Sequence, residues 1–364
     1  TIEIAPRCEP GRGWPCWWYA RVDGARVGET VTVRVVSSRR PYRGTTILRG
    51  RWALPDRAVI STDDVHWVQT PPGRSGPQGI AYVLAAPAHR FWIAWGPPCL
   101  PAHADSAIAN AVQRNVGAER FVLAQSREGR DVAGVRVGNP TGPAIWVQAR
   151  QHAWEVGSSW VACGFLEWAA SDEPMAAAFR RAAELWLVPI MDVDNVLRGC
   201  GGKEAEPRDH NRDWDERPIY PEVAAAQHRL RTLSETRRLR LFLDLHQPGA
   251  EQQPSFFYAP FEYTNLAAAI RANYDRFLEL AVAEAVGPLH VLPNFQFATY
   301  VATPEERARM SRTWAERQAG PQAVALSFET RWNLPESTAD NYRRLGAELG
   351  RAVARFLRAD VGGD

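Results

Sequence analysis

The sequence predicts an all-β sandwich domain followed by an α/β domain, whose mixed, mostly parallel sheet carries helices on both faces. Three observations predict it. From Trp17 to about Pro98, short alternating segments such as TVTVRVVS, AYVLAA and FWIAWG are separated by Gly, Pro and Asp, with almost no helical period. The Pro-rich GPPCLPAH, Gly96 to His103, then punctuates the chain. Beyond it apolar strands alternate with helical stretches, the rhythm of a largely parallel sheet. The expected domains are therefore residues 1–102 and 103–364.

Taken in order, the first domain is expected to place strands at TVTVRVVS, TILRGRWAL, AVIST, HWVQT, AYVLAA and FWIAWG. The second should open with a helix near Ser106 to Asn115 and a hairpin over RFVLAQSREGRDVAGVRVG. Strand AIWVQAR, helices SSWVACGFLEWAA and MAAAFRRAAEL, and strand LWLVPIMDV follow. A helix from Tyr220, strand RLFLDLH, the long helix YTNLAAAIRANYDRFLELAVAEAV, strand AVALSFET and a last helix from Ala339 complete the alternation.

The bulk numbers narrow the function classes. A chain of 364 residues can bury two cores. Its net charge of +2 supplies no drive toward nucleic acid or an anionic membrane surface. Arg, Asp, Glu or Pro interrupts every apolar run before membrane-spanning length, so no membrane insertion is expected. The cysteines at 8, 16, 99, 163 and 200 lack zinc-finger spacing. Cys8 and Cys16 flank EPGRGWP, a turn-rich segment short enough to close as a disulfide loop, and Cys163 reads as a buried thiol. The chain starts at Thr1 with no initiator Met, which favours a periplasmic or secreted location over a cytoplasmic one. The tryptophans read mostly as packing, with Trp14, Trp17 and Trp18 as alternatives that could line a binding surface.

What the strands end in is more informative. AIWVQARQHAWE ends in His152 and Glu155, RLFLDLHQ in Asp244 and His246, and AVALSFETRW in Glu329. Ligands of open α/β sheets collect at the carboxyl ends of the strands. Two histidines and two glutamates thus converge on one sheet edge. Zinc takes imidazole nitrogen and carboxylate oxygen, and catalytic sites use three protein ligands. His152, Glu155 and His246 are candidate ligands, with Glu329 left over as a base. Asp244 shares a strand face with His246 and could orient its imidazole.

In the order RQHAWE, DHNRDW, LDLHQP and SFETRW, these motifs resemble the zinc metallocarboxypeptidases of the carboxypeptidase A type, especially the cytosolic carboxypeptidase-like subgroup with an N-terminal β-sandwich. The resemblance covers about residues 105 to 360. It implies one Zn²⁺ per chain on His152, Glu155 and His246, and removal of C-terminal residues from peptides by metal-activated water with Glu329 as general base. It also implies that Asn211 and Arg212 clamp the terminal carboxylate, and that Tyr300 in FATYVATP covers the substrate unless it merely packs.

This chain also departs from the family pattern. Ala153-Trp154 stands where the family has Pro-Gly, and Asp194-Asn195 where it has an Asp-Gly turn. The Arg that polarises the scissile carbonyl is expected near Gly202, and Lys203 is the substitute, with Arg198 or Arg208 as alternatives. The resemblance implies a substrate that is a peptide or acyl-amino acid with a free carboxylate. The rivals are a zinc amidase, esterase, deacylase or cell-wall peptide hydrolase on the same scaffold, and a non-catalytic binding module.

Overall fold

The computed structural model describes residues 1–6, 13–36, 41–42, 46–47, 54–77, 79–115, 117–251 and 254–358. Strands come first: β1 (Ile2–Ile4), β2 (Tyr19–Asp23), β3 (Thr30–Val36), β4 (Pro41–Tyr42), β5 (Thr46–Ile47), β6 (Val59–Ser61), β7 (Val68–Gln69), β8 (Arg74–Gly76), β9 (Gly79–Ala85) and β10 (Arg90–Ala94). They pair as two four-stranded sheets, β1-β3-β9-β8 and β2-β10-β6-β7, with β4 and β5 pairing separately. Period-two alternation turns Val31, Val33 and Val35 of β3 inward with Ile80, Tyr82 and Leu84 of β9. There they meet Phe91 and Ile93 of β10 in one core, as in a sandwich. That core also takes in Trp154, Val156, Ala250 and Trp332, so the β-region shares an interior with the rest of the chain.

The remainder runs α1 (Pro101–Arg114), β11 (Ala118–Gln125), β12 (Asp131–Gly138), β13 (Ala144–Ala149), α2 (Val156–Ala169), α3 (Pro174–Ala182), β14 (Glu184–Val188) and α4 (Val193–Arg198). Then come α5 (Pro221–Glu235), β15 (Leu239–His246), β16 (Phe256–Tyr258), α6 (Ala268–Glu284), α7 (Pro304–Ala308), α8 (Ser311–Gln318), β17 (Val324–Glu329) and α9 (Ala339–Arg358). The sheet is ordered β11-β12-β14-β13-β15-β17-β16. β14, β13, β15 and β17 form its parallel centre, while β12 and β16 run against their neighbours. β13 and β17 are buried throughout, which is why they read as continuous apolar runs. On one face Ile145, Val147, Leu241 and Leu243 pack under α2, α6 and α9. On the other, Trp146, Trp186 and Phe242 pack under α5 and α8. Helices therefore cover both faces, as the sequence predicts.

Several local expectations need correction. α1 starts at Pro101, well before Ser106, and the expected 102/103 boundary falls inside it. Proline suits the first helical position, where no N–H is needed, so the Pro-rich segment opens a helix. The Asp194-Asn195 turn is instead part of α4, with Asn195 N–H donating to Asp192 Oδ1 at 3.1 Å. The left-handed residue there is Gly199, at φ 71°, which ends the helix. The long helix expected from Tyr263 begins at Ala268, after a 3₁₀ turn at Tyr263–Asn265. Cys16 is a buried free thiol, and Cys8, its expected partner, lies outside the described residues. Most of TILRGRWAL lies outside them too; β5 holds its first two residues. Among the described residues, no helix is long and apolar enough to cross a membrane.

Candidate active site and metal centre

β13 delivers His152 and Glu155 through a tight turn into α2. Arg150, just past the strand, has φ 63°, a left-handed value uncommon for a residue with a Cβ. Its buried guanidinium donates to Ala153 O at 2.6 Å and Cys99 O at 3.1 Å, which braces the turn. Glu155 then sits at the N-cap of α2, and its N–H donates to His152 O at 3.1 Å. Parallel pairing brings in the rest: His246 is in register with Glu329 across β15 and β17.

The two histidines share one carboxylate. Nδ1 of His152 lies 2.8 Å from Glu155 Oε1, and Nδ1 of His246 lies 2.8 Å from Glu155 Oε2. Ligand atoms of all three residues lie within 4.8 Å of one another, and all three are buried. Each far nitrogen faces another carboxylate. His152 Nε2 is 3.1 Å from Asp209 Oδ1, and His246 Nε2 is 2.9 Å from Asp244 Oδ2. A carboxylate behind a ligating imidazole fixes its tautomer and leaves the near nitrogen for metal. Asp244 is itself held by Gln151 Nε2 at 2.5 Å and by the Ser311 hydroxyl. This buried two-nitrogen, one-carboxylate donor set fits zinc.

Electrostatics follow the same lines. Burial alone would raise Glu155, yet the facing His152 and His246 bring it down to about 2. Burial likewise opposes charge on Asp209, but Lys203 and His152 hold it well below the carboxylate range. Glu329 goes the other way: burial, with Glu155 adding to it, pushes its carboxyl up to about 7. Its Oε2 is buried and finds no hydrogen-bond partner. A basic carboxylate poised near neutrality beside the triad is suited to move a proton.

One pocket is lined by His152, Glu155, His246, Lys203, Asn211, Tyr300 and Glu329. Of the expected ligands, base, carbonyl-polarising lysine and substrate-binding residues, Arg212 alone is not in its wall. The Arg212 guanidinium donates from Nε to Glu306 Oε1 at 3.0 Å and from Nη1 to Asn211 O at 2.9 Å. Asn211 is anchored by Ser311 N–H donating to its Oδ1 at 2.9 Å, and its Nδ2 lies 3.2 Å from His246 Nε2. Tyr300 is half exposed at the rim, edge-on to Tyr258. Lys203 Nζ lies 3.5 Å from Asp209 Oδ2. The alternatives to Lys203 point elsewhere: Arg198 pairs with Glu128, and Arg208 with Asp213 and Asp215.

Position 202 cannot carry a side chain in this backbone. Gly202 has φ 79°, and a Cβ there would lie 2.7 Å from both Ala153 N and Asp192 Oδ2. No cationic side chain fits at position 202, and Lys203, the next residue, lines the pocket. Residues that sequence reasoning missed include Asp209, Gln151 and Ser311, while Trp14, for which packing is the default, lines the pocket. Asp209 precedes the expected Asn211-Arg212 pair, but Asp213 and Asp215 stand as close and give no sequence signal to choose among them.

Residues 112–217 match the zinc carboxypeptidase family model. The zinc carboxypeptidase match holds His152, Glu155, Lys203, Asn211 and Arg212, and the parallel sheet adds His246 and Glu329 from beyond it. Cytosolic carboxypeptidase 1 of Mus musculus is 32% identical over 109 residues, 29% of this chain and 9% of that protein. This chain thus aligns with about a tenth of the length of such curated relatives. An uncharacterized Zymomonas mobilis protein is 27% identical over 68% of this chain and 61% of its own. In fold, the metallo-carboxypeptidase of Burkholderia cenocepacia superposes with a TM-score of 0.81 at 20% identity, over 99% of this chain and 94% of that one. A Pseudomonas aeruginosa metallo-carboxypeptidase, solved with (2-guanidinoethylmercapto)succinic acid, gives 0.79 at 20% identity, over 98% and 93%.

Proposed function

We propose that this protein is a zinc metallocarboxypeptidase that removes C-terminal residues from peptides. One observation carries the reading: the buried His152–Glu155–His246 set lies in register with an unpaired, raised Glu329 in a single pocket. Zinc held by those three residues would supply Lewis-acid polarisation and a water activated near neutral pH. Glu329 accepts a proton from the attacking water as the new C–O bond forms. It returns that proton to the amine nitrogen as the C–N bond breaks. The Lys203 ammonium faces the charge that develops on the carbonyl oxygen. Asn211 and Arg212 orient the terminal carboxylate, and Tyr300 closes over it. Asp209 and Asp244 keep the two imidazoles turned toward Glu155.

The test is a panel of N-blocked dipeptides with free or amidated C-termini, run on zinc-loaded and chelator-stripped protein. Cleavage of the free acids alone, lost on stripping and restored by zinc, is expected. Equal activity of thoroughly stripped protein would reject the mechanism. A second reading has its own support. Arg212 is engaged by Glu306 outside the pocket wall, which suits a zinc amidase, esterase or deacylase that needs no carboxylate clamp. Comparable cleavage of amidated and free peptides would favour it.

Lys203 gives a sharper check within the first reading. An ammonium that meets charge only as it develops stabilises the transition state over the ground state. Lys203→Ala is therefore expected to lower kcat by roughly 10²–10³-fold with little change in KM. A kcat near wild type would remove Lys203 from this role.

A further inference from the structure

The N-terminal β-region also enters the pocket, through Trp14. Trp14 N–H donates to Lys203 O at 3.0 Å, and Trp14 O accepts from Gly201 N–H at 3.0 Å. The Trp14 backbone is thus laced onto the loop that carries the ammonium, which places its indole beside it. Trp154, between His152 and Glu155, stacks on Trp14 with centroids 6.1 Å apart and planes 25° apart. The Trp154 backbone N–H donates to Gly201 O at 3.0 Å, so it is tied to the same loop. Trp95 and Trp332 pack edge-on against Trp154, each at 5.7 Å. With Trp14 5% and Trp154 2% exposed, both rings are fixed before any ligand arrives.

The pocket consequently has two unlike sides. Asn211, Tyr258, Tyr300, Met310 and Ser327 group on one of them: Tyr258 packs with Tyr300 and Met310 and is in register with Ser327, and Asn211 accepts a hydrogen bond from the residue after Met310. That side suits the terminal residue, because Asn211 is joined to Arg212 and to Ser311, the residue after Met310. The other side pairs Lys203, which faces the scissile carbonyl, with the two indoles. The acyl half of the substrate must run along it. Its one cation, Lys203, already sits 3.5 Å from Asp209, so an acidic substrate side chain finds no free charge there.

Resting on the peptidase reading above, we infer that Trp14 and Trp154 form the subsite for the residue just before the scissile bond, and that this subsite selects an aromatic side chain. Rigid indole edges in the pocket wall offer ring-to-ring contact at no ordering cost of their own, and a methyl group or a carboxylate gains little from it.

The test uses the zinc-loaded full chain and N-blocked dipeptides with one fixed C-terminal residue, varying the preceding residue among Phe, Leu, Ala and Glu. kcat/KM for Phe is expected to exceed that for Ala by about tenfold, the scale of one good aromatic contact plus its buried area, with Glu lowest. Trp14→Leu should compress the Phe/Ala ratio to within about threefold. Should that variant fail to fold, the wild-type series and competitive inhibition by the matching N-blocked amino acids decide the matter. A flat series with good cleavage, or an unchanged ratio in folded Trp14→Leu, overturns this inference alone. If no peptide in the panel is cut, the peptidase reading falls and the inference falls with it.

Discussion

Glu329→Gln is expected to keep the fold and the metal while turnover drops by roughly 10²–10⁴-fold, the usual worth of a positioned acid–base group. Gln has the same size and can still accept a hydrogen bond, but its amide cannot take the proton from water. The buried Oε2 of Glu329 has no protein partner to share that task. Zinc content per chain and kcat/KM on a free-acid dipeptide, measured on the same sample, separate loss of chemistry from loss of metal. A fall of less than tenfold with zinc intact would assign the proton transfer to another group.

The same substitution has a stability signature in the metal-stripped protein. Burial sets the folded value of Glu329 at about 7 against an ordinary 4.5. Between those pH values the unfolded chain has lost this proton while the folded chain still holds it, so stability falls as pH rises. The penalty is complete above about 7 and absent below about 4.5. Gln carries no such penalty. Metal-free Glu329→Gln should therefore melt above metal-free wild type at pH 8, and the gap should narrow toward pH 5. Identical melting at both pH values would mean that Glu329 is not strained by burial.

Why the triad was legible and its supports were not follows from the kind of information each needs. His152, Glu155, His246 and Glu329 stand where apolar runs stop, and polar residues at such stops need a reason. The central strands are buried on both faces, so those runs are long and their ends sharp. Asp209 lies in a loop crowded with acids, and only the folded loop brings its carboxylate to His152. Lys203 could be proposed, but the reason for it was hidden: the close approach of Ala153 to Gly202 is a long-range contact. Trp14 lies in a turn-rich segment without period, so nothing in sequence separated it from the packing of Trp17 and Trp18. Arg212 combines the two cases. Its motif points to a carboxylate clamp, and the fold adds Glu306 as a partner that no sequence spacing announces. The helix start at Pro101 was lost because proline marks breaks and first turns alike.

His246→Ala is expected to abolish both metal retention and activity, the largest effect of any single change in the site. Three protein ligands are the minimum of a catalytic zinc centre, and a His and a Glu alone hold the ion poorly. The loss also reaches beyond the missing nitrogen. His246 lies between Glu155 Oε2 and Asp244 Oδ2, so its removal leaves two buried carboxylates facing an opening. Asp244 keeps Gln151 and Ser311 as donors, and Glu155 keeps His152, which should preserve the fold at reduced stability. In the metal-free protein, burial would lower His246, but Asp244 and Glu155 together raise it well above the imidazole range. Zinc must therefore displace a proton from wild-type His246, and its affinity should rise with pH over the neutral range. In His246→Ala that particular proton is gone, and the remaining weak binding should depend less steeply on pH. Zinc titration against a competing chelator at pH 6, 7 and 8 measures both features. One zinc per chain retained by a folded His246→Ala variant, with wild-type affinity at all three pH values, would move the metal centre away from this sheet edge.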